Sequence, residues 1–171
     1  SGVFIHEKHH GKSDIPRFEG WWGHNKEDRF KMPENFVPIP SAEAWQLSNA
    51  PVLAMAPLLA SLELFEEVGM PALRAKSLEL TAYLQKVIED ASSESGQEIR
   101  IITPKDPDRR GCQISISVPG KGRVAFERLS AAGVIADWRE PDVIRLAPVP
   151  LYNSFEDVYE FGQLLQKFLK D

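Results

Sequence analysis

Cysteine is almost missing from this chain. One thiol in 171 residues excludes an internal disulfide framework and suits a reducing compartment such as the cytoplasm. That residue, Cys112, sits in Cys112-Gln113-Ile114-Ser115-Ile116-Ser117-Val118, where apolar and polar residues alternate. It is expected as a buried thiol on a strand, not as a nucleophile. No apolar run reaches the ~18 residues of a membrane span. The opening Ser1-Gly2-Val3-Phe4-Ile5 lacks the basic flank of a signal peptide and reads like the middle of a fold. Long runs of one charge are also missing. With a net charge of −5 and a pI near 5.4, neither a nucleic-acid surface nor a basic membrane patch is expected. There are no internal repeats and no low-complexity tract.

Histidine is scarce too, with four in the chain. Three fall in His6-Glu7-Lys8-His9-His10, which matches H-E-x-x-H. That pattern makes a zinc protease only on a helix, where the two histidines share a face and a third ligand follows. Here it follows a short apolar stretch, Val3-Phe4-Ile5, expected as a strand, and runs into Gly11, Asp14 and Pro16. Polar residues at a strand end, with no metal, is the expectation. Pro119-Gly120-Lys121-Gly122 is too short for a phosphate loop and reads as a turn before a helix.

What is present divides into three stretches. From Gly11 to Ala44 periodicity is lost, and prolines and glycines punctuate a long loop that carries Phe18, Trp21, Trp22, Phe30 and Phe36. A loop so aromatic is expected to pack on another surface. Two helices come next. Val52 to Val68 is apolar on most sides and is expected to be buried. After Gly69, a second helix from Pro71 to about Ala91 carries a stripe of Leu73, Ser77, Leu80, Leu84, Val87 and Ile88. Ser92 to Gly96 reads as a linker.

The remainder alternates as β-β-α-β-β-α. Strands are expected at 99–102, 112–118, 134–138 and 143–146, with helices from Arg123 to Ala132 and from Ser154 onward. Ser154 with Asp157 three residues on makes a capping box. The expected organisation is 1–50, 51–91 and a small α+β domain at 92–171.

Arg145 stands out because Val143, Ile144 and Leu146 surround it. A guanidinium is permanently charged and carries five donors, so it must face a carboxylate or phosphate, in the protein or on a ligand. Ser48-Asn49 before Pro51 suits a helix cap. Trp21-Trp22 suits an interface.

Three blocks carry a resemblance. They are Gly20-Trp21-Trp22-Gly23-His24 with Arg29-Phe30-Lys31-Met32, then Gln46-Leu47-Ser48-Asn49-Ala50-Pro51, then Val143 to Phe155 with its Arg145-Leu146-Ala147-Pro148-Val149-Pro150-Leu151-Tyr152-Asn153-Ser154. Together they resemble the C-terminal part of kynureninases. These are fold-type-I pyridoxal-phosphate enzymes of the aspartate aminotransferase superfamily, longer than this chain.

The resemblance implies an α/β fold in which residues 1–50 are a remnant of the large cofactor domain and 92–171 the small α+β domain. It implies that Trp21 and Asn49 donate to the cofactor phosphate, Trp21 across a homodimer interface into the partner's site. It implies that Arg145 grips the substrate α-carboxylate and that Ser48 lines the pocket for the substrate ring. No Tyr-Lys pair matching the Schiff-base lysine occurs, so the segment alone is expected to be inactive. Other readings are a fold-type-I desulfurase or transaminase, or a non-catalytic α+β binding or dimerisation module.

Overall fold

A computed structural model describes residues 2–170. The chain forms two compact units, one from Ser1 to Leu62 and one from Glu63 to Asp171.

The first unit contains almost no regular structure. Short 3-10 turns at Glu7–His9, Trp21–Gly23, Arg29–Lys31 and Ala42–Trp45 are joined by extended backbone and a single bridge between His24 and Pro38. The expected strand Val3-Phe4-Ile5 does not form. Val3 and Phe4 are 79% and 86% exposed, and a strand without a neighbour has no ladder to stabilise it. Helix α1, Val52–Val68, closes this unit and crosses into the next. The helix is where its composition places it, but the expected burial is absent. No residue of α1 is buried, and Val52, Leu53, Leu59, Leu62, Leu64 and Val68 all face solvent. An apolar surface predicts burial only if the same chain supplies a cover, and no described residue does.

The second unit builds on helix α2, Met70–Ser95. Its last turn includes the stretch expected as a linker. Ser95 Oγ donates to the Ala91 carbonyl, Ser92 Oγ donates to the Gln97 carbonyl, and Gly96 ends the helix at φ +70°. The serines thus lie within the last helical turn, their hydroxyls occupied by local backbone carbonyls, where composition alone would place a linker. Because α2 shares one core with residues 99–169, this unit begins well before residue 92.

Strands β1 (Arg100–Ile101), β2 (Ile114–Ser117), β3 (Asp137–Arg139) and β4 (Val143–Leu146) form an antiparallel sheet in the order β1-β2-β4-β3. Helix α3 spans Gly122–Ala131 and α4 spans Phe155–Lys170. The β-β-α-β-β-α order is as expected. Cys112 is half-buried and precedes β2, so the reading of a buried strand thiol does not hold. Ile114, Ile116, Ile144 and Leu146 alternate onto one face and pack with Leu80, Leu84 and Ile88 of α2 and Val158, Phe161 and Leu165 of α4. Each fully buried aliphatic side chain contributes about 1.5–3 kcal/mol.

The ends of the last helix are satisfied from the sequence. Ser154 Oγ accepts from the Asp157 N–H at 3.1 Å, and the Asp157 carboxylate accepts from the Ser154 N–H at 2.8 Å, which is the expected capping box. At the far end, Lys121 Nζ donates to the Leu169 carbonyl at 3.0 Å, so this lysine serves a helix C-terminus. Among the described residues, no helix is long and apolar enough to cross a membrane.

Two outcomes test this packing. A Cβ on Gly162 would lie 2.2 Å from Cγ1 of Val87, a side chain held stiffly in its helix. Gly162→Ala should therefore cost about 1–3 kcal/mol despite alanine's better helix propensity, and adding Val87→Ala should recover part of it. Urea unfolding of the four-member cycle reads this, and purely additive losses would contradict the clash.

The Ser154 N–H, then the Asn153 amide, hold the Asp157 carboxyl below the ordinary carboxylate range. A depressed carboxylate stabilises the fold above its unfolded value and loses that contribution as pH falls through the folded one. Asp157→Asn should flatten the melting-temperature profile on the acid side, and an acid limb as steep as the parent's would refute the assignment.

Candidate functional site

Glycine brings two of the sequence blocks together. A Cβ on Gly20 would fall 2.1 Å from Leu47 Cα, and one on Gly23 would fall 2.4 Å from the Ala44 carbonyl oxygen. Only glycine lets the Trp21–Gly23 turn lie against residues 44–47, directly before Ser48-Asn49. The segment bearing Trp21 and the segment bearing Ser48 and Asn49 therefore meet in the first unit.

The turn is held by a set of polar contacts, although Arg29 Nε is buried without a hydrogen-bond partner. The Trp21 indole N–H donates to the Arg29 carbonyl at 2.8 Å. Arg29 is buried, stacks 4.8 Å over the Trp22 ring and donates through Nη2 to the His24 carbonyl at 3.2 Å. His24 is also buried, and its Nδ1 accepts from the Val37 N–H at 3.1 Å. A backbone N–H must donate, so the ring proton sits on Nε2, which faces Asp28 Oδ1 at 3.0 Å. An open cavity of about 400 Å³ lies here, lined in part by Glu19, Trp21, His24, Arg29 and Phe36. The histidine and the arginine hold this loop, a role not apparent from the sequence. Their spacing around two tryptophans is the one signal of it there.

Ser48 and Asn49 are exposed, and neither side chain has a hydrogen-bond partner among the described residues. The capping alternative is not realised, because the first turn of α1 bonds to the Pro51 carbonyl. A free amide and a free hydroxyl thus stand beside the tryptophan turn. His6, His9 and His10 lie around a 3-10 turn, and among the described residues no group of three metal-type side chains gathers. Partial burial first, then Lys8 and Lys12, hold the His9 imidazole below its ordinary pKa.

Arg145 belongs to the second unit. It shares a sheet face with Val143, opposite the face of Ile144 and Leu146. Its Nη2 donates to Asp137 Oδ2, so of the partners open to it a carboxylate of the protein itself is present. The cavity of about 450 Å³ beside β4 is lined by Leu146, Ala147 and Pro148 and lies off the arginine. The period of two sends Arg145 away from the core side. The contact with Asp137 is made at one nitrogen and one oxygen, not as a fork. Arg145 Nε is buried without a hydrogen-bond partner, although the side chain as a whole is 36% exposed. A buried donor left unpaired costs about 1–3 kcal/mol, and Arg29 Nε and Arg110 Nε are unpaired in the same way, so this atom alone does not mark a ligand site.

Asp137 does not stand out in the sequence. It faces Arg145 across β3 and β4, and Arg139 pairs with Val143 beyond it. Counting back across the tight connection between the two expected strands is the signal that finds it.

Comparison with known proteins agrees with the motif blocks. A family model described as the kynureninase C-terminal domain matches residues 73–165. The chain is similar to the kynureninase of Christiangramia forsetii, 59% identical over 167 residues, and to that of Flavobacterium johnsoniae, 56% identical over 167 residues. Each alignment covers 98% of this chain and 39% of the relative. A kynureninase of Xanthomonas euvesicatoria is 56% identical over 168 residues, covering 96% of this chain and 39% of the relative. The chain thus spans well under half the length of the curated relatives it matches.

The glycine contacts have a direct consequence. Gly23→Ala should push residues 20–24 off Ala44 and break the Ile39 N–H bond to the Gly23 carbonyl, now 3.0 Å. Amide exchange at Ile39 should rise at least about tenfold, while amides in β2 and β4 keep their protection. Equal protection at Ile39 in both proteins would show that the contact is dispensable.

Proposed function

The chain belongs to the kynureninase family, and from that premise we propose that it is the C-terminal part of an enzyme that splits L-kynurenine, or its 3-hydroxy form, into an anthranilate and L-alanine in tryptophan catabolism. The observation that carries this reading is the similarity to kynureninases along 98% of the chain. The reading includes a pyridoxal-phosphate cofactor. When bound, it supplies the electron sink for breaking a carbon–carbon bond.

The residues fit such a group in kind. Ser48 and Asn49 carry polar atoms without partners beside the Trp21 turn, and Arg145, 36% exposed, has Nη1 without a hydrogen bond among the described residues. In this reading Trp21 and Asn49 hold the cofactor phosphate, Trp21 from the partner subunit of a homodimer. Arg145 binds and orients the α-carboxylate, and Ser48 borders the aromatic ring. The lysine that bears the cofactor and the group that moves protons are assigned to the rest of the longer protein. The segment by itself is therefore expected to be inactive.

Trp21 has a single N–H, and the Arg29 carbonyl now accepts it. A phosphate at this position competes with that carbonyl, so cofactor binding and loop geometry are linked. An ionised acceptor forms the stronger bond, which favours the exchange.

In the full-length enzyme, Trp21→Phe keeps the ring and removes the donor. Cofactor affinity should fall by about 1–2 kcal/mol, the scale of one bond to a charged acceptor. Equilibrium dialysis measures it, and an unchanged Kd excludes the phosphate role. Arg145→Lys should raise KM for L-kynurenine by about tenfold or more while cofactor content stays constant, since lysine lacks the planar fork. A lower Tm with KM unmoved would instead mark Arg145 as a structural ion pair.

A further inference from the structure

Asp137 does not treat Arg145 as a structural ion pair usually would. A carboxylate that only stabilises an arginine tends to take two parallel N–H donors on its two oxygens. Here one oxygen, Oδ2, meets Nη2 of Arg145 and also Nη2 of Arg139 at 2.9 Å. Arg139 lies two residues along the same strand, so the pleat places Asp137 and Arg139 on one face, with Arg145 directly opposite Asp137 in the register. The guanidinium of Arg145 is thus held at a single corner. Its Nε is buried without a partner, and Nη1 makes no hydrogen bond among the described residues.

Charge points the same way. Two guanidiniums share one carboxylate, so the cluster keeps a net positive charge. A carboxylate paired to Arg145 alone would cancel it and compete with any incoming anion. Divided between two arginines, it fixes the direction of one guanidinium and leaves that group's charge to attract a ligand carboxylate. Fixing the long side chain in advance removes rotamer freedom that binding would otherwise have to freeze.

We propose that Asp137 is a positioning residue, which aims Arg145 at the substrate α-carboxylate from the neighbouring strand. The proposal rests on the carboxylate-binding role of Arg145 in the kynureninase reading, and it adds a residue on which that role depends.

The test uses the full-length, cofactor-loaded enzyme with L-kynurenine as the substrate. Asp137→Asn should raise KM about tenfold and change kcat by less than about twofold, the pattern of lost binding and not of lost chemistry. Cofactor absorbance and Tm should stay at parent values. Because Asp137 acts through Arg145, Asp137→Asn combined with Arg145→Lys should be no worse than Arg145→Lys alone. Asp137→Glu keeps the charge but moves the oxygen by a methylene, and it should raise KM with Tm unchanged even if the asparagine variant folds poorly.

A KM for both Asp137 variants within about twofold of the parent, while Arg145→Lys raises it, overturns the positioning role and leaves the carboxylate role standing. Additive losses in the double variant also overturn it. If Arg145→Lys leaves KM unmoved, the carboxylate reading falls, and the role of Asp137 falls with it.

Discussion

Burial of Ile144 and Leu146 in one core with α2 and α4 decides where the arginine between them can go. A strand alternates its side chains with a period of two, so fixing two aliphatic residues inward fixes Arg145 outward. The same rule puts Asp137 and Arg139 on that face, because β3 pairs with β4 in a single register. A slip by one residue would bury a guanidinium and expose two core residues, at a cost no nearby interaction could offset. The polar cluster is therefore a by-product of how the core is filled. Its precision comes from the isoleucines and leucines behind it, not from the polar residues themselves.

Much of this second unit can be read from the sequence because its signals are local. The apolar stretch around Arg145 is β4 at its expected bounds, and Ser154 with Asp157 forms the expected capping box. These features depend on residues within a few positions of one another. Readings that failed needed knowledge of distant partners. Val3-Phe4-Ile5 has the composition of a strand but no neighbour among the described residues, and α1 has the composition of a core helix but no cover. The serines of 92–95 are a different case: the partners are local, Ser95 reaching back to the Ala91 carbonyl and Ser92 forward to that of Gln97, and composition alone does not reveal them. At the candidate site, Arg145 can be picked out by its charge among aliphatic neighbours. Asp137 cannot, since an acidic residue on a half-exposed strand is ordinary until the register puts it opposite an arginine.

The first unit achieves order by a different route. Ahead of α1 its described residues form only short turns and one bridge, and they rely on backbone lying on backbone at Gly20 and Gly23 and on a buried histidine and arginine that satisfy backbone groups. Such packing has little tolerance, because a single methyl group at either glycine meets main-chain atoms. It also explains how a loop rich in exposed aromatics keeps a defined path. Phe18 and Phe30 remain 85% and 68% exposed, so the loop's shape does not depend on burying them within this chain.

Helix α1 has a consequence in time. With none of its seventeen residues buried, α1 draws little stability from the other described residues, and Pro57 removes one donor from the interior of the helix. An isolated helix of this length is marginal in water, and its turns melt and re-form within about 0.1–1 μs. Whatever apolar surface α1 meets would therefore set how long it stays wound, whereas the sheet keeps its register through the core it shares with α2 and α4.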